Sequence, residues 1–112
     1  MEDRIKLERA AKEPKIQKLL EKGKITIIDF YAAWCPPCQM LMKVLDGIKE
    51  VDVAVKRINV DEENELASRI GIDAVPFVGV FDKEREPFVA FTGYRDEKEL
   101  RSLIDRARKS RF

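Results

Sequence analysis

The chain has 112 residues, of which 45% are hydrophobic and 38% are charged, and its formal net charge is +1. This length suits one domain with a single core, and the balanced charge gives no strong field that would attract nucleic acid or an anionic membrane. Histidine is absent, which excludes Ser-His and Cys-His catalysis and removes the commonest metal ligand.

The composition also bears on where the protein works. No segment approaches the 18 or so apolar residues of a membrane span, and the charged N-terminus is unlike a signal peptide, so we expect a cytoplasmic protein. The charged fraction of 38% exceeds the roughly 25% usual in soluble domains. Heat-labile amide side chains are confined to Gln17, Gln39, Asn59 and Asn64. Together these features predict a heat-adapted source.

The first half of the chain alternates helical and strand patterns. Residues 1–24 are predicted to be helical, with Pro14 at a first helical position and Gly23 as a helix stop. An apolar run of β-branched and aromatic residues follows at 24–33, which is typical of a strand buried on both faces. A helix is predicted to begin inside the motif WCPPC, residues 34–38, and its Met40 and Met42 are interpreted as ordinary packing residues.

The second half continues the alternation and then changes it. A strand at 52–60 precedes a short helix near 63–70. Strands at 76–81 and 87–91 flank a polar turn and predict an antiparallel hairpin. The last helix begins near Asp96, which has capping-box spacing to Glu99. The predicted order is α-βαβα-ββα.

The motif WCPPC contains the only two cysteines, Cys35 and Cys38. A zinc site needs about four ligands, so two cysteines without histidine leave only a metal shared between subunits. A structural disulfide is a poor explanation because closing so short a loop removes little entropy from the unfolded chain. Two unrelated buried thiols are the packing alternative, although the spacing and the strand-to-helix position argue against it.

A redox dithiol is the interpretation that the residues favour. On the first turn of a helix, Cys35 would meet the positive end of the helix dipole and unpaired N–H groups, which lower the pKa of a thiol. Cys38, one turn further, lies within disulfide reach and could attack a mixed disulfide formed at Cys35. Pro37 fits the first turn because the N–H that it lacks would be unpaired there.

Several segments together resemble the thioredoxin family. DFYAAWCPPC, residues 29–38, resembles the active-site segment of that family, and GIDAVPFVGVF, residues 71–81, resembles the segment around its cis-proline. INVDEEN and FTGY also fall where similar segments occur, so the resemblance covers about residues 25 to 107. It implies an α/β thioredoxin fold with a central mixed sheet of four or five strands, flanked by helices. We expect one domain, 1–112, with a helical N-terminal segment and a core at 25–112.

The resemblance assigns roles to the residues of the motif. It implies that Cys35 is the exposed attacking thiol and that Cys38 is the buried resolving thiol. Trp34 resembles the tryptophan that shields and shapes the active surface of the family, with a core position as the alternative. Pro36 is a departure, because the familiar motif has glycine there. It removes a backbone N–H that could stabilise a Cys35 thiolate, and the direction of the redox shift does not follow from the sequence.

Two charged residues extend the predicted site. Asp29 interrupts an apolar strand, where an ionised carboxylate costs several kcal/mol unless it is paired or neutralised, so burial should raise its pKa. The resemblance implies that Asp29 assists proton transfer at Cys38, and a strand-end carboxylate that reaches water is the alternative. Arg57 stands where the family often has lysine. Near Asp29 its permanent charge would oppose the effect of burial, whereas an exposed strand arginine is the alternative.

The remaining site residues belong to loops. The resemblance implies a cis bond before Pro76, which leaves the backbone of Val75 free to pair with an extended substrate segment. Gly93 resembles a glycine in a loop that flanks the active site of the family, and a simple strand-end turn is the alternative. The N-terminal segment is a second departure, since it is a strand in full-length thioredoxins and looks helical here.

These residues predict a thiol–disulfide oxidoreductase that reduces protein disulfides by cycling Cys35 and Cys38. The implied partners are disulfide-containing client proteins and a thioredoxin reductase or an equivalent electron donor. No organic cofactor, metal, nucleic acid or membrane is expected, and a monomer is the default. The alternatives are a disulfide oxidase or isomerase, credible because some hyperthermophiles have disulfide-rich intracellular proteins, and a binding module whose cysteines are idle.

Overall fold

The computed structural model describes residues 2–110, which contain five helices and four strands. In chain order these elements are α1 (Glu2–Ala11), α2 (Pro14–Gln17), β1 (Ile25–Tyr31), α3 (Pro36–Asp46), β2 (Val53–Asn59), α4 (Asn64–Ile70), β3 (Phe77–Phe81), β4 (Pro87–Thr92) and α5 (Glu97–Arg108). The predicted order is confirmed, and the helical N-terminal segment consists of two helices.

The four strands form one mixed sheet in the order β2-β1-β3-β4. β1 runs parallel to β2 and antiparallel to β3, and β3 pairs with β4 as the predicted antiparallel hairpin. Asp29 of β1 lies between Arg57 of β2 and Val78 of β3. The sheet therefore has the four strands that the sequence predicts, and no fifth strand occurs within residues 2–110.

The sheet is covered on both faces, because side chains of a strand alternate between its two faces. On one face, Ile28 and Phe30 pack with Leu7 of α1, Ile16 of α2 and Ile70 of α4. On the other face, the buried apolar side chains of β1 pack with residues of α3 and α5, namely Ile25, Ile27, Leu41, Leu45, Leu100 and Ile104. This double cover explains why β1 is apolar almost throughout.

The two edges of the sheet differ. The β4 edge is met by α1, where Arg4 Nη1 donates a hydrogen bond to the carbonyl oxygen of Phe88 at 2.9 Å. Within residues 2–110, no strand pairs with the outer edge of β2. An unpaired edge presents a row of backbone N–H and C=O groups to solvent, so β2 is the open side of the sheet.

Helix ends agree with the sequence at most positions. Pro14 opens α2, and Gly71 ends α4 in the left-handed conformation with φ 91°. The capping box of α5 is present, with Asp96 and Glu99 each bonded to the backbone of the other. Gly23 is the exception, because α2 ends at Gln17. Gly23 instead forms the turn before β1, at φ 88°, and donates its N–H to Lys83 O at 2.8 Å.

Candidate active site

The two cysteines meet where α3 begins. Cys35 is the N-cap residue of α3, with extended backbone angles, and Pro36 and Pro37 fill the start of the first turn. Because proline has no N–H, the first helical amide that reaches the Cys35 sulfur is that of Cys38, at 3.2 Å from Cys35 Sγ. The two Sγ atoms are bonded to each other and the Cα atoms are 5.2 Å apart. The pair is therefore present in its oxidised form.

The exposure of this pair differs from the prediction. Cys38 is buried as expected, with 1% of its surface exposed, but Cys35 is also buried, at 3%. The Cys35 Sγ is bonded to Cys38 on one side, and the carbonyl oxygen of Val75 lies 3.6 Å away. The prediction of an exposed Cys35 is therefore wrong for the disulfide form, because the neighbouring loop covers the sulfur.

Two loops stand beside the disulfide. The Val75–Pro76 peptide bond is cis, which confirms the prediction for Pro76. Gly93 has a φ of 95°, a conformation that glycine adopts at little cost, and its N–H donates to Pro76 O at 2.8 Å. The structure thus joins Gly93 to the loop that covers Cys35, so its position involves more than a simple strand-end turn.

Trp34 lies on the surface of this region. It is 68% exposed, so the alternative of a core tryptophan is wrong. Its indole Nε1 donates a hydrogen bond to Asp61 Oδ2 at 2.8 Å. Asp61 follows β2, where its own N–H donates to the side chain of Asn59. Asp61 was not among the predicted site residues, although it belongs to the INVDEEN segment that carries part of the resemblance.

Asp29 is fully buried, with 0% of its surface exposed. Arg57 Nε donates to Asp29 Oδ2 at 3.2 Å, whereas Asp29 Oδ1 is a buried oxygen without a hydrogen-bond partner. Burial raises the pKa of the Asp29 carboxyl, and the hydrogen bond and charge of Arg57 oppose that rise. The alternative of a carboxylate that reaches water is wrong. The predicted approach of Arg57 to Asp29 is confirmed.

Arg57 makes two further contacts that the sequence analysis missed. Its guanidinium carbon lies 4.0 Å from the centre of the Tyr31 ring. Its Nη1 lies 2.8 Å from Met42 Sδ, so Met42 has a polar contact in addition to packing. Met40 is 52% exposed, and its interpretation as a packing residue is wrong. Tyr31 follows Asp29 at the spacing that shares a strand face, which is the one signal that could have identified it.

Cys38 and Arg57 border a common recess. Its volume is about 180 Å³, and its walls are formed by Tyr31, Ala32, Ala33, Cys38, Gln39, Met42 and Arg57. The structure therefore places Arg57, which is bonded to Asp29, beside Cys38.

The groups available for chemistry at this site are the sulfurs of Cys35 and Cys38 and the buried carboxyl of Asp29. A disulfide at a helix N-terminus can be reduced to a dithiol whose outer thiolate is stabilised by the helix dipole and an amide. Within the described part of the chain, no group of three or more His, Cys, Asp or Glu residues could hold a metal ion. Among residues 2–110, no helix combines the length and apolar character that crossing a membrane requires.

Comparisons with known proteins agree with this arrangement. The family model described as Thioredoxin matches residues 7–106. A thioredoxin of Alicyclobacillus acidocaldarius subsp. acidocaldarius is 34% identical over 91 residues, which cover 79% of this chain and 86% of that one. A thioredoxin of Rickettsia typhi is 33% identical over 93 residues, covering 80% and 88%. A solved mutant thioredoxin from Halobacterium salinarum NRC-1 has a TM-score of 0.72 at 35% identity, covering 83% and 82%.

Proposed function

The chain belongs to the thioredoxin family and is a thioredoxin-like thiol–disulfide oxidoreductase, and from this premise we propose that it reduces protein disulfides through Cys35 and Cys38. The observation that carries the proposal is the Cys35 position at the N-cap of α3, where one amide, that of Cys38, reaches its sulfur. Stronger stabilisation of the thiolate would stabilise the reduced form and make the pair more oxidising. A single amide therefore favours a reductant.

The reaction has two exchange steps. The Cys35 thiolate attacks one sulfur of a client disulfide, which forms a mixed disulfide and releases the other client sulfur as a thiolate. Cys38 then loses its proton and attacks Cys35 Sγ, which forms the Cys35–Cys38 disulfide and releases the second client sulfur. Two electrons pass from the dithiol to the client. The Cα separation of 5.2 Å supports closure of this ring without movement of the helix.

Asp29 is proposed to accept the Cys38 proton in the second step. Its buried Oδ1 has no partner, and burial raises its pKa, which makes the carboxylate a stronger base than an exposed aspartate. Arg57 supports this role by offsetting part of the effect of burial. The recess that Arg57 and Cys38 share supplies a route for the proton to reach solvent.

The client segment is proposed to bind across Trp34 and the two loops. An extended segment would pair with the backbone of Val75, while Pro76 and Gly93 shape the loops that border it. The exposed Trp34 ring supplies apolar contact area next to the disulfide. The Pro36 and Pro37 pair would hold the start of α3 in one conformation.

The wider setting is also part of the proposal. We propose disulfide-containing client proteins as substrates and a thioredoxin reductase or an equivalent donor as the source of electrons. No metal or organic cofactor is needed, because two sulfurs carry both electrons. A cytoplasmic, monomeric protein from a heat-adapted source fits the composition. Residues 1–112 are proposed to form one domain, since Leu7 of the N-terminal segment is fully buried in the core.

The reduction potential of the Cys35–Cys38 pair tests the direction of electron flow, measured by equilibration against dithiothreitol and glutathione buffers. A value near about −270 mV, that of thioredoxin, supports a reductant, and one near or above about −180 mV, that of protein disulfide isomerase, supports an oxidase or isomerase. The absence of a reversible two-electron couple would leave the binding module as the remaining explanation.

A substitution of Pro36 tests the reason that we give for this direction. Pro36→Gly restores one backbone N–H at the start of α3, and a hydrogen bond of about 1 kcal/mol to the thiolate raises the potential by about 20 mV. Pro36→Ala is the matched control, because it restores the N–H without the flexibility of glycine. Equal shifts in both variants identify the amide as the cause. A shift in Pro36→Gly alone would point to backbone freedom instead.

A further inference from the structure

Arg57 is held in place by contacts on three sides. Asp29 accepts from its Nε, the Tyr31 ring lies against its guanidinium, and Met42 Sδ lies beside its Nη1. Its side chain is 28% exposed, so part of the guanidinium borders solvent. A long side chain at a strand edge has many rotamers open to it. Contacts besides the ion pair are therefore needed to keep its charge beside Asp29.

Few other charged groups could substitute for Arg57. From β3 the residue beside Asp29 is the apolar Val78, and the buried residues of α5, which packs against β1, are Leu100, Ile104 and Ala107. From α3 the recess is lined by Cys38, Gln39 and Met42. Lys56 points to the opposite sheet face, where it pairs with Glu21 at 2.7 Å.

On its other side Arg57 borders a second groove of about 240 Å³. The charged residues that line this groove with Arg57 are Lys15, Glu62 and Glu63. Lys15 and Glu63 pair with each other at 2.7 Å, which leaves Glu62 as the carboxylate that could draw Arg57 away from Asp29. The Tyr31 and Met42 contacts oppose that movement, because both would be lost if the guanidinium swung away from Asp29.

We propose that Tyr31 and Met42 are positioning residues that fix the Arg57 guanidinium beside Asp29 and thereby set the pH range in which Asp29 exchanges a proton. This inference rests on the proposed function of Asp29. Tyr31 packs against the buried cluster that holds both cysteines, but Tyr31 and Met42 each also contact Arg57, and they act on Asp29 through it. An arginine stacked on an aromatic ring keeps its charge in one place, whereas a free side chain would leave Asp29 to the full effect of burial.

The test is the titration of the Asp29 carboxyl in the oxidised protein, followed by carbon-13 NMR. Because Arg57 lowers the pKa of Asp29, loss of its position moves the titration midpoint upward. We expect Tyr31→Leu to lower the acid dissociation constant of Asp29 about threefold, the size of a partly exposed cation–π contact, and Met42→Leu to lower it in the same direction. Arg57→Met should produce a larger change in the same direction.

Two controls separate positioning from packing. Tyr31→Phe keeps the ring and should keep the wild-type midpoint. Phe88→Leu removes another ring that lies beside an arginine, Arg106 at 5.8 Å, away from the site, and should also leave the midpoint unchanged. Met42→Leu nearly conserves volume, so its result decides the question if Tyr31→Leu does not fold.

The outcomes distinguish this inference from the proposed function. It is overturned if Arg57→Met moves the midpoint while Tyr31→Leu and Met42→Leu do not, or if Arg57→Met itself has no effect. The titration uses the oxidised protein and needs no turnover. The pH profile of disulfide reduction is measured separately, and it should shift upward in the same variants. A protein with the expected titrations but no reductase activity at any pH would contradict the proposed function and leave the positioning role standing.

Discussion

The Asp29 carboxyl group is buried where the protein does not provide hydrogen bonds to both of its oxygens. Oδ2 accepts a hydrogen bond from Arg57, and Oδ1 is buried without a hydrogen-bond partner. A buried acceptor that lacks a hydrogen bond costs free energy, and an ionised one costs more. Burial is the largest influence on the pKa of Asp29 and raises it. The site therefore retains a residue that weakens the fold and that the proposed proton transfer requires.

Asp29→Asn should increase the free energy of unfolding at pH 7 by about 1 to 3 kcal/mol, because the amide removes the cost of burying an ionised carboxylate with an unpaired oxygen. The Arg57 left behind is partly exposed and can be hydrated. Since the folded pKa is raised, the wild type loses stability as pH rises through that pKa. The gain should therefore disappear below the ordinary carboxyl pKa of about 3.9. Urea unfolding at both pH values measures it.

The exposed Asp46 on the same helix as Cys38 provides the control for this comparison. Asp46→Asn should change the stability by no more than about 0.5 kcal/mol, as most surface substitutions do. An Asp29→Asn protein that is less stable than the wild type at pH 7 would mean that the Arg57 pair outweighs the burial of the carboxylate.

Single residues differ in how far the sequence predicts them. Asp29 was identifiable because a carboxylate within an apolar strand costs free energy to bury, which suggests a functional role. Tyr31 and Met42 were not, because an aromatic residue in a strand and a methionine in a helix are ordinary packing residues. Their contacts depend on where the Arg57 side chain lies, which requires the pairing of β1 with β2. The burial of Cys35 was also missed, since it depends on a loop some forty residues away in the chain.

The start of α5 is fixed by local chemistry. Asp96 accepts from the N–H of Glu99 at 2.9 Å, and the Glu99 side chain accepts from the N–H of Asp96 at 3.1 Å. Such a reciprocal pair satisfies two helix-end donors without tertiary contacts. This is why the spacing of two acidic residues in the sequence located the start of the helix.

Asp96→Ala should lower the free energy of unfolding by about 1 kcal/mol, because one N–H of the first turn loses its acceptor. Thermal and urea unfolding measure the loss, and Lys98→Ala in the same turn is the control, expected within about 0.5 kcal/mol of the wild type. Disulfide reduction should proceed at the wild-type rate in both variants. An Asp96→Ala protein as stable as the control would show that α5 is held by its buried face alone.

The two glycines at predicted helix ends show that the sequence alone does not always predict where a helix ends. Gly71 and Gly23 both have positive φ, but only Gly71 ends a helix. α2 is four residues long and ends well before Gly23, and its one buried residue, Ile16, packs into a core formed with other elements. A helix this short depends on tertiary packing, which local propensity does not reveal.

At the scale of the molecule, Asp52 connects three distant segments. Arg108 of α5 bonds both oxygens of Asp52, at 2.6 and 2.9 Å, and Lys83 of the β3–β4 turn lies 3.2 Å away. Hydrogen bonds from Arg108, supported by Lys83, hold the pKa of Asp52 well below its usual range. The network joins the residue before β2 to the last turn of α5, at the end of the sheet opposite to the cysteines.

Asp52→Asn should cost about 1 to 2 kcal/mol at pH 7, reduced from the value of a buried pair because Asp52 is 24% exposed. A lowered folded pKa gives stability that is present above the ordinary pKa of about 3.9 and is lost as pH falls below it. The difference between variant and wild type, measured by urea unfolding, should therefore shrink in acid. Asp105→Asn, which removes a more exposed partner of Arg108, is the control and should cost less than about 0.5 kcal/mol.

The whole architecture was largely accessible from the sequence, since the element order and the hairpin follow from periodicity and turn residues. The resemblance, rather than periodicity, predicted the thioredoxin fold. The Asp52 network was not predicted, because charged residues far apart in the chain show no pattern that pairs them. Its geometry arises from the sheet, which brings residues 52, 83 and 108 together.

The open edge of β2 also predicts which part of the protein unfolds locally first. β1 is bonded to β2 on one side and to β3 on the other, and it leads into the segment that carries Cys35. Amide hydrogens on the free side of β2 should exchange with solvent first, and those of β1 last. Native-state hydrogen exchange would then find the sulfurs attached to the part of the protein that opens least often. Gentle heating would loosen the periphery while the redox centre keeps its geometry.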